Sequence, residues 1–257
     1  MGVRSEAGGV SVTHKEPAIF DLVCVVPVYN EAIVLTEAIA MLVQGLTALP
    51  GTSRWQIVIA SNGSTDATEA TGRQLEAKYG ELVRLVVCRA KGRGLALREV
   101  MATLEAKTYL YIDVDLPCDM KDLALVLAPL HYGADLVMSH RTGYRPWHRR
   151  LMTLGLRAMN FLMFGVRVSD SQCAVKALSP AAVEVLVDDC RQSGWFLDTE
   201  LVVLARTKHL EVAEVPIHWV EKRFPQRESK VDTWQDSWRA LTALRQIRAR
   251  QQILQKT

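Results

Sequence analysis

Residues 22–46 read LVCVVPVYNEAIVLTEAIAMLVQGL, in which a short apolar run is followed by a longer segment with apolar residues at helical spacing. The run at 22–28 predicts a strand buried on both faces, and 31–46 predicts a helix that packs against it. The same order recurs along the chain: strands are predicted at 55–60, 82–88, 108–112, 135–139 and 212–219, and helices at 67–79, 94–104, 120–130, 149–166 and 233–254. This alternation is typical of an α/β fold with a mostly parallel, Rossmann-like sheet flanked by helices.

The composition is that of a globular protein with a sizeable core, because 49% of the 257 residues are hydrophobic and 23% are charged. The 31 Lys and Arg residues barely exceed the 28 Asp and Glu residues, so the charge gives no indication of a nucleic-acid partner. The five cysteines are scattered without C-x-x-C spacing, which predicts neither a zinc site nor a disulfide framework. A cytoplasmic location is therefore expected.

The chain is expected to form one domain. Residues 1–17 lack periodicity and are interpreted as a flexible leader, 18–232 as the domain, and 233–257 as a closing helix of the same domain. No apolar stretch reaches the ~18 to 20 residues that cross a bilayer, so any membrane contact is expected to be peripheral.

An acidic pair, Asp113-Val114-Asp115, follows the predicted strand at 108–112. Residues i and i+2 of an extended chain point the same way, so both carboxylates are expected to face one Mg²⁺ or Mn²⁺ ion at the carboxyl edge of the sheet. The same short pattern also occurs in solvated acidic turns, so its neighbours decide between the two interpretations.

Three further turns are predicted at the same edge of the sheet. Residues 27–31 (PVYNE) and 61–66 (SNGSTD) each join a strand to a helix and offer backbone donors and small polar groups. Gly92-Arg93-Gly94 forms the third turn, where glycines permit close approach and Arg93 is placed to contact a diphosphate. The four turns together favour a nucleotide and metal site.

The order of these motifs, P-x-Y-N-E, N-G-S-T-D, G-R-G-x-A-L-R and D-x-D, resembles family 2 glycosyltransferases with the GT-A fold. Downstream, residues 139–141, 170–173, 195–200, 214–216 and 229–230 resemble the polyprenyl-phosphate branch of that family, typified by dolichyl-phosphate mannose synthase. The resemblance implies an inverting transfer of a sugar from a GDP- or UDP-sugar to a polyprenyl (dolichyl or undecaprenyl) phosphate, with a β-linked product and Mg²⁺ or Mn²⁺ as cofactor.

The resemblance also assigns residues to three parts of the site. The donor-binding set is Pro27, Tyr29, Glu31, Ser61, Asn62, Arg93, Asp113 and Val114. The catalytic set is Asp115, Asp170 and Asp198, with Asp113 and Asp115 as metal ligands. The acceptor-phosphate set is Arg141, Arg149, Thr153, Arg223, Ser229 and Lys230. A helix-capping role is an alternative for Asp198, and solubilising an apolar helix is an alternative for Arg149.

Two departures from the family pattern leave details open. Pro117 stands where a Gln often completes the metal site, and Ser61-Asn62 stands where an acidic pair usually contacts the donor base. A nucleotidyltransferase is disfavoured because 27–31 lacks a glycine-rich loop with Arg and Lys. A family 2 enzyme with a water-soluble acceptor and a non-catalytic nucleotide-sugar-binding protein remain as alternatives.

The predicted helix at 149–166 is apolar nearly all round and carries Arg149, Arg150 and Arg157. We expect it to lie on the cytoplasmic face of a membrane, with burial against the sheet or a second subunit as the alternative. Trp195 and Trp219 are interpreted as core residues rather than sugar platforms.

Overall fold

The computed structural model describes residues 20–143, 147–220, 223–226 and 233–256, except for the side chains of residues 148, 149 and 233–241. Within these residues seven strands form one sheet: β1 Phe20–Val28, β2 Trp55–Asn62, β3 Val83–Cys88, β4 Ala106–Ile112, β5 Leu136–Thr142, β6 Val175–Leu178 and β7 Val212–His218. The strand order is β3-β2-β1-β4-β6-β5-β7. The sheet is mixed but mostly parallel, because only β6 runs antiparallel to its two neighbours β4 and β5.

Eight α-helices cover the sheet within the described residues: α1 Ala32–Thr47, α2 Thr68–Tyr79, α3 Arg93–Met101, α4 Asp122–His131, α5 Trp147–Phe164, α6 Pro180–Glu184, α7 Leu197–Thr207 and α8 Thr233–Leu254. A 3₁₀ turn, Gly80–Leu82, follows α2, and a π-turn, Val185–Asp189, follows α6.

The core consists of two apolar layers, one on each face of the sheet. Alternate residues of β1 separate between them: Val23 and Val25 pack with α3 and α7, whereas Cys24 and Val26 pack with α1 and α4. Because side chains alternate along a strand, a continuous apolar run such as residues 22–28 serves both layers at once. The predicted α/β class with a mostly parallel sheet is therefore confirmed.

The predicted elements occur with small shifts at their ends. The shift that matters for the site is the end of β5. This strand was expected to end at residue 139, but it continues through Arg141 to Thr142 by pairing with β7. The short antiparallel strand β6 was not assigned from the sequence. The division into a leader, a domain and a closing helix stays a prediction, because residues 1–19 lie outside the described residues.

Candidate active site

One edge of the sheet collects nearly all of the predicted site segments. Six strands, β1 to β5 and β7, end at this edge, which we call the active edge. The antiparallel β6 begins there, so residues 170–174 lie beside the turns that follow the other strands. Backbone hydrogen bonds connect these segments: Asp113 N–H donates to the Ala174 carbonyl at 3.3 Å, and Val220 N–H donates to the Pro117 carbonyl at 2.9 Å. The expected convergence of the four turns is thus present in the structure.

The turns after β1 and β2 hold each other through side chains. Thr65 N–H donates to Asn30 Oδ1 at 2.7 Å, and Asn30 has a positive φ of 53° that a non-glycine residue rarely adopts. Glu31 N–H donates to Thr68 Oγ1 at 2.8 Å, and Ala32 N–H donates to a carboxylate oxygen of Asp66. These bonds satisfy amide groups at the start of α1, which otherwise lack partners within the helix.

Several residues of the predicted donor set hold the turns in place. Ser61 is fully buried and donates to Ser64 Oγ, and Asn62 donates to the Val28 carbonyl while its own Oδ1 accepts from Gly92 N–H. Their side chains thereby position the backbone of the turns. Tyr29 lies closer to the surface, and Lys91 Nζ is 4.0 Å from the centre of its ring.

The glycines of the third turn are required by the chain itself. A Cβ on Gly94 would lie 2.5 Å from the Gln192 carbonyl oxygen, and one on Gly92 would lie 2.8 Å from that of Ser193. Gly94 N–H also donates to the Ser193 carbonyl at 2.8 Å. The close approach expected for a phosphate at these glycines is therefore made by the backbone of residues 192–193.

The D-x-D segment forms a turn, not an extended chain. β4 ends at Ile112, and Leu116 N–H closes the turn by donating to the Asp113 carbonyl at 3.0 Å. The expectation that Asp113 and Asp115 share one face because they lie in extended chain is therefore wrong in its premise. Both carboxylates nevertheless lie half-buried at the active edge, whereas Val114 between them is buried.

The oxygen ligands at this turn fit a hard divalent cation. Within the residues that the structure describes, no group of three His, Cys, Asp or Glu side chains is arranged to hold a metal ion. Mg²⁺ and Mn²⁺ sites in nucleotide enzymes commonly need only one or two carboxylates, because substrate phosphates and water supply the other ligands. Asp113 and Asp115 would be the protein ligands in such a site.

Beneath the D-x-D turn lies a row of buried ionic groups. Arg93 Nε donates to Asp113 Oδ1 at 2.9 Å, and Arg93 Nη1 donates to Asp198 Oδ2 at 2.9 Å. Lys176 Nζ lies 3.2 Å from Asp198 Oδ1, and the Tyr111 hydroxyl donates to the same oxygen. The side chains of Lys176 and Asp198 are 0% and 1% exposed, so these charges are compensated by each other rather than by water.

The pKa shifts within this row favour the charged forms of Asp198 and Arg93 and the neutral form of Tyr111. Burial by itself favours the neutral form of Asp198, but Arg93, Lys176 and the Tyr111 hydroxyl outweigh it and hold the pKa of that carboxyl below its usual value. Burial also opposes the charge of Arg93, yet Asp113 and Asp198 raise its pKa above the ordinary value. Burial, followed by the negative Asp198, raises the pKa of Tyr111 well above its usual value, so its hydroxyl stays a donor.

Asp198 therefore has a different environment from the one expected of a catalytic carboxylate. The capping alternative is wrong, because α7 begins at Leu197 and Asp198 lies within its first turn instead of preceding the helix. The oxygens of Asp198 accept from three buried side chains. Its contacts favour a positioning role over contact with substrate. Lys176 was not singled out from the sequence, although a lone lysine within the apolar segment 173–178 is a signal that could have identified it.

A second ion pair lies between β5 and the loop before β6. Arg141 donates to both oxygens of Asp170, with Nη2 2.7 Å from Oδ1, and its guanidinium lies 4.9 Å from the centre of the Trp219 ring. The Asp170 side chain is 5% exposed and that of Arg141 is 16% exposed. Asp170 thus fixes the orientation of Arg141 at the edge of the site.

The remaining residues of the predicted acceptor set are only partly described. Arg223 donates to the carbonyls of Leu116 and Cys118, each at 2.8 Å, so it secures the D-x-D turn. Thr153 is half-buried on α5. Ser229, Lys230 and the side chain of Arg149 lie outside the described residues, so their assignment to the acceptor phosphate stays a prediction.

Helix α5 presents a large apolar surface. Its most exposed apolar residues are Trp147, Leu151, Met152, Leu154, Phe161 and Leu162, with exposed fractions from 45% to 81%. Beside them a groove of about 450 Å³ is lined by Leu154, Arg157, Ala158, Phe161 and Arg167. The expectation that the apolar residues of this helix lie at a surface is only partly correct, because Phe164 is buried in the core beside the buried Asn160.

A buried polar cluster connects α5 to the row of ionic groups. Asn160 Nδ2 donates to Ser171 Oγ at 3.1 Å, and Ser171 Oγ lies 3.2 Å from Thr199 Oγ1. Gln172 Nε2 also donates to Thr199 Oγ1, at 2.9 Å, and Thr199 follows Asp198 in α7. The apolar helix is thereby attached directly to the active edge.

The two tryptophans differ from each other. Trp219 is half-buried under Arg141, but Trp195 is 41% exposed, with the Arg93 guanidinium 5.4 Å from its ring centre. The interpretation of Trp195 as a core residue is therefore wrong, because the loop before α7 places it at the rim of the site.

No helix among the described residues is long and apolar enough to span a membrane. This finding concerns only the part of the chain that the structure covers.

Comparison with known proteins gives consistent relatives. The chain is 28% identical over 218 residues to glycosyltransferase AglD of Haloferax volcanii, covering 82% of this chain and 34% of AglD. It is 27% identical over 237 residues to dolichyl-phosphate beta-glucosyltransferase of Saccharomyces cerevisiae, covering 81% of this chain and 69% of that enzyme. The chain thus spans about a third of AglD and about two thirds of the yeast enzyme.

The fold is shared with solved structures. Glucosyl-3-phosphoglycerate synthase of Mycobacterium tuberculosis, in complex with Mn²⁺, UDP and glucosyl-3-phosphoglycerate, matches 90% of this chain and 78% of its own with a TM-score of 0.63 at 20% identity. The family model described as glycosyl transferase family 2 matches residues 23–171, which include the D-x-D turn and the turns after β1, β2 and β3. The chain therefore belongs to glycosyl transferase family 2, as its motif order indicated.

Proposed function

We propose that this protein transfers a hexose from a nucleoside diphosphate sugar to a polyprenyl phosphate at a membrane surface. The relatives named dolichyl-phosphate beta-glucosyltransferases suggest glucose as the sugar, and the solved structure of similar fold contains UDP, so UDP-glucose is the first donor to test. The observation that carries the proposal is the attachment of an exposed apolar helix, α5, to the edge that holds the D-x-D turn. A polyprenyl phosphate requires an apolar surface for its chain close to the site where its phosphate reacts.

The donor diphosphate is proposed to bind at the D-x-D turn. A divalent cation held there by Asp113 and Asp115 would stabilise the negative charge of the leaving diphosphate. Arg93 supports this location, because its side chain is 9% exposed and its Nη2 has no hydrogen-bond partner among the described residues. A buried guanidinium donor without a partner is costly, and a phosphate oxygen would satisfy it.

In the proposed reaction an oxygen of the acceptor phosphate attacks the anomeric carbon from the side opposite the diphosphate. The bond from that carbon to the diphosphate oxygen breaks, the nucleoside diphosphate leaves with the electron pair, and the configuration inverts. Because the acceptor is already an anion, no strong general base is needed. This fits the burial of Asp170 and Asp198, whose carboxylates are paired with cations.

Arg141 is proposed to contact the acceptor phosphate. Asp170 accepts from one edge of its guanidinium and the Trp219 ring packs against a face, so the side chain is oriented before the acceptor arrives. Arg149 and Thr153 of α5 are proposed to add contacts from the membrane side. Ser229 and Lys230 complete the proposed phosphate site from the segment that precedes α8.

Peripheral binding of α5 to the cytoplasmic membrane face completes the proposal. The exposed apolar residues of α5 would enter the interface, and the exposed Arg150, Arg157 and Arg167 would meet anionic headgroups. The combination of an apolar strip with flanking arginines is complementary to an anionic lipid surface.

The test is a turnover assay with the full chain, UDP- and GDP-sugars, Mn²⁺ or Mg²⁺, and either a polyprenyl phosphate in detergent or a soluble phosphorylated acceptor. We expect lipid-linked product with a UDP-hexose and loss of turnover in excess chelator. Turnover only with the soluble acceptor would replace the lipid assignment, and donor binding without any transfer would favour a binding protein.

A further inference from the structure

The buried ionic groups form a continuous row that ends at the D-x-D turn. The order is Lys176, Asp198, Arg93 and Asp113, and each neighbour is in direct ionic contact with the next. Tyr111 and Lys176 are cross-strand partners of β4 and β6, so the sheet fixes the inner end of the row. Signs alternate along it, and the two cations balance the two carboxylates.

We propose that this row sets the affinity of the D-x-D site for its divalent cation, with Lys176 and Asp198 acting as positioning residues that never touch the substrate. The proposal rests on the proposed function, since it concerns the metal ion of that reaction. Asp113 is shared: its Oδ1 accepts from Arg93, so a cation at Asp113 must tolerate a guanidinium on the same carboxylate. The repulsion between the Arg93 guanidinium and the bound cation depends on how well Asp198 neutralises the charge of Arg93.

The alternating signs give opposite expectations for two neighbouring residues. Removing the negative charge of Asp198 leaves Arg93 and Lys176 uncompensated next to the site and weakens cation binding. Removing the positive charge of Lys176 leaves the row one unit more negative and strengthens cation binding. A purely structural role predicts instead that both changes weaken binding, because both disturb a buried pair.

The size of each effect follows from Coulomb's law. A unit charge about 10 Å from a divalent ion, at an effective dielectric constant between those of protein and water, changes affinity by about tenfold or more. Burial of the row keeps salt from screening it fully. Removing both charges restores the balance, so the double variant is expected to return close to the original affinity.

The experiment measures Mn²⁺ binding to the full chain, by the electron paramagnetic resonance signal of free Mn²⁺, with and without UDP. We expect Asp198→Asn to raise the dissociation constant about tenfold, Lys176→Met to lower it about tenfold, and the double variant to lie within about threefold of the original protein. Lys176→Gln repeats the second measurement with a side chain that still forms hydrogen bonds. Circular dichroism melting establishes that each variant is folded.

Two control variants separate charge from packing. Tyr111→Phe removes the hydroxyl that donates to Asp198 without changing any charge, and Lys208→Met removes an ion-paired lysine at the far end of α7. Both are expected to change the dissociation constant by less than about threefold, a shift that is small beside a full unit charge near the site.

The outcomes decide between the accounts. Shifts of the same sign in the Asp198 and Lys176 variants, or a double variant no nearer the original affinity than the singles, would overturn the proposal. Failure of the original protein to bind Mn²⁺ while it still transfers sugar would also overturn it and leave the proposed function intact. Opposite shifts of the Mn²⁺ dissociation constant in the two variants, without sugar transfer to any acceptor, would support the role of the row in cation binding and contradict the proposed function.

Discussion

Replacing Leu151 and Leu162 of α5 together by Ser should weaken binding to anionic membranes without unfolding the protein. The two side chains are 57% and 81% exposed, so the folded chain loses little packing when they are truncated. Full burial of a leucine side chain is worth about 1.5 to 3 kcal/mol. Scaled by these exposed fractions and by partial immersion in the interface, the double change should cost about 1 to 2 kcal/mol of binding, or about 5- to 30-fold in affinity.

The assay is co-sedimentation with liposomes that contain anionic lipid, at low and high salt. A matched control is the double variant Ile33→Ser and Leu125→Ser, which removes two apolar residues that are 76% and 54% exposed on α1 and α4. The control should bind like the original protein. High salt should weaken the binding of the control variant and of the original protein, because exposed arginines each contribute about 1 kcal/mol near an anionic surface and salt screens this attraction.

Two results would refute this reasoning. Equal liposome binding by the α5 variant and its control would show that α5 is not the membrane contact. Loss of a dimer in the α5 variant, measured by sedimentation equilibrium, would show that the apolar surface is an interface between two copies of the chain. Phe164→Ser is unsuitable for this test, because Phe164 is 5% exposed and packs in the core.

Three of the four remaining predictions concern the site, and one concerns the turn that supports it. Asp115→Asn should lower kcat at least about 100-fold with the melting temperature unchanged, as measured by turnover with saturating donor, because the cation that would stabilise the leaving diphosphate loses a carboxylate ligand. Arg149→Ala should lower kcat/KM for the polyprenyl phosphate about tenfold while the donor KM stays constant, and a change in the donor KM alone would contradict the assignment. Gly94→Ala should cost about 1 to 3 kcal/mol in urea unfolding because its Cβ would lie 2.5 Å from a backbone oxygen, whereas Gly155→Ala, with open space around it, should be neutral or stabilising. Arg93 and Lys176 hold the pKa of Asp198 below its usual value against the effect of burial, so its ionised form stabilises the fold above the ordinary carboxyl pKa, and this contribution is lost as the pH falls through the lowered pKa. As the pH falls below about 4, the free energy of unfolding should therefore decrease more in the original protein than in Asp198→Asn.

The layers of the fold were predictable because they depend on local patterns. Apolar runs such as 22–28 predicted strands, and the helical spacing that follows predicted the covering helices, with end shifts of only a few residues. The α/β class, the convergence of the turns at one edge and the family itself followed from the order of short motifs along the chain. Each of these features is encoded within segments of a few to about twenty residues.

Only the tertiary structure decided how the site residues are used. No local pattern predicted that the backbone of Gln192 and Ser193 packs on the glycines of the third turn, or that Lys176 forms an ion pair with Asp198. The contact between Arg93 and Asp198 joins residues 105 positions apart. Such contacts depend on which strands become neighbours, and β6 inserts antiparallel between β4 and β5 with only four residues of weak local signal. The balance of charge beneath the D-x-D turn is a property of that arrangement, because ionic energies depend on distance and burial, and neither quantity is encoded in any single segment.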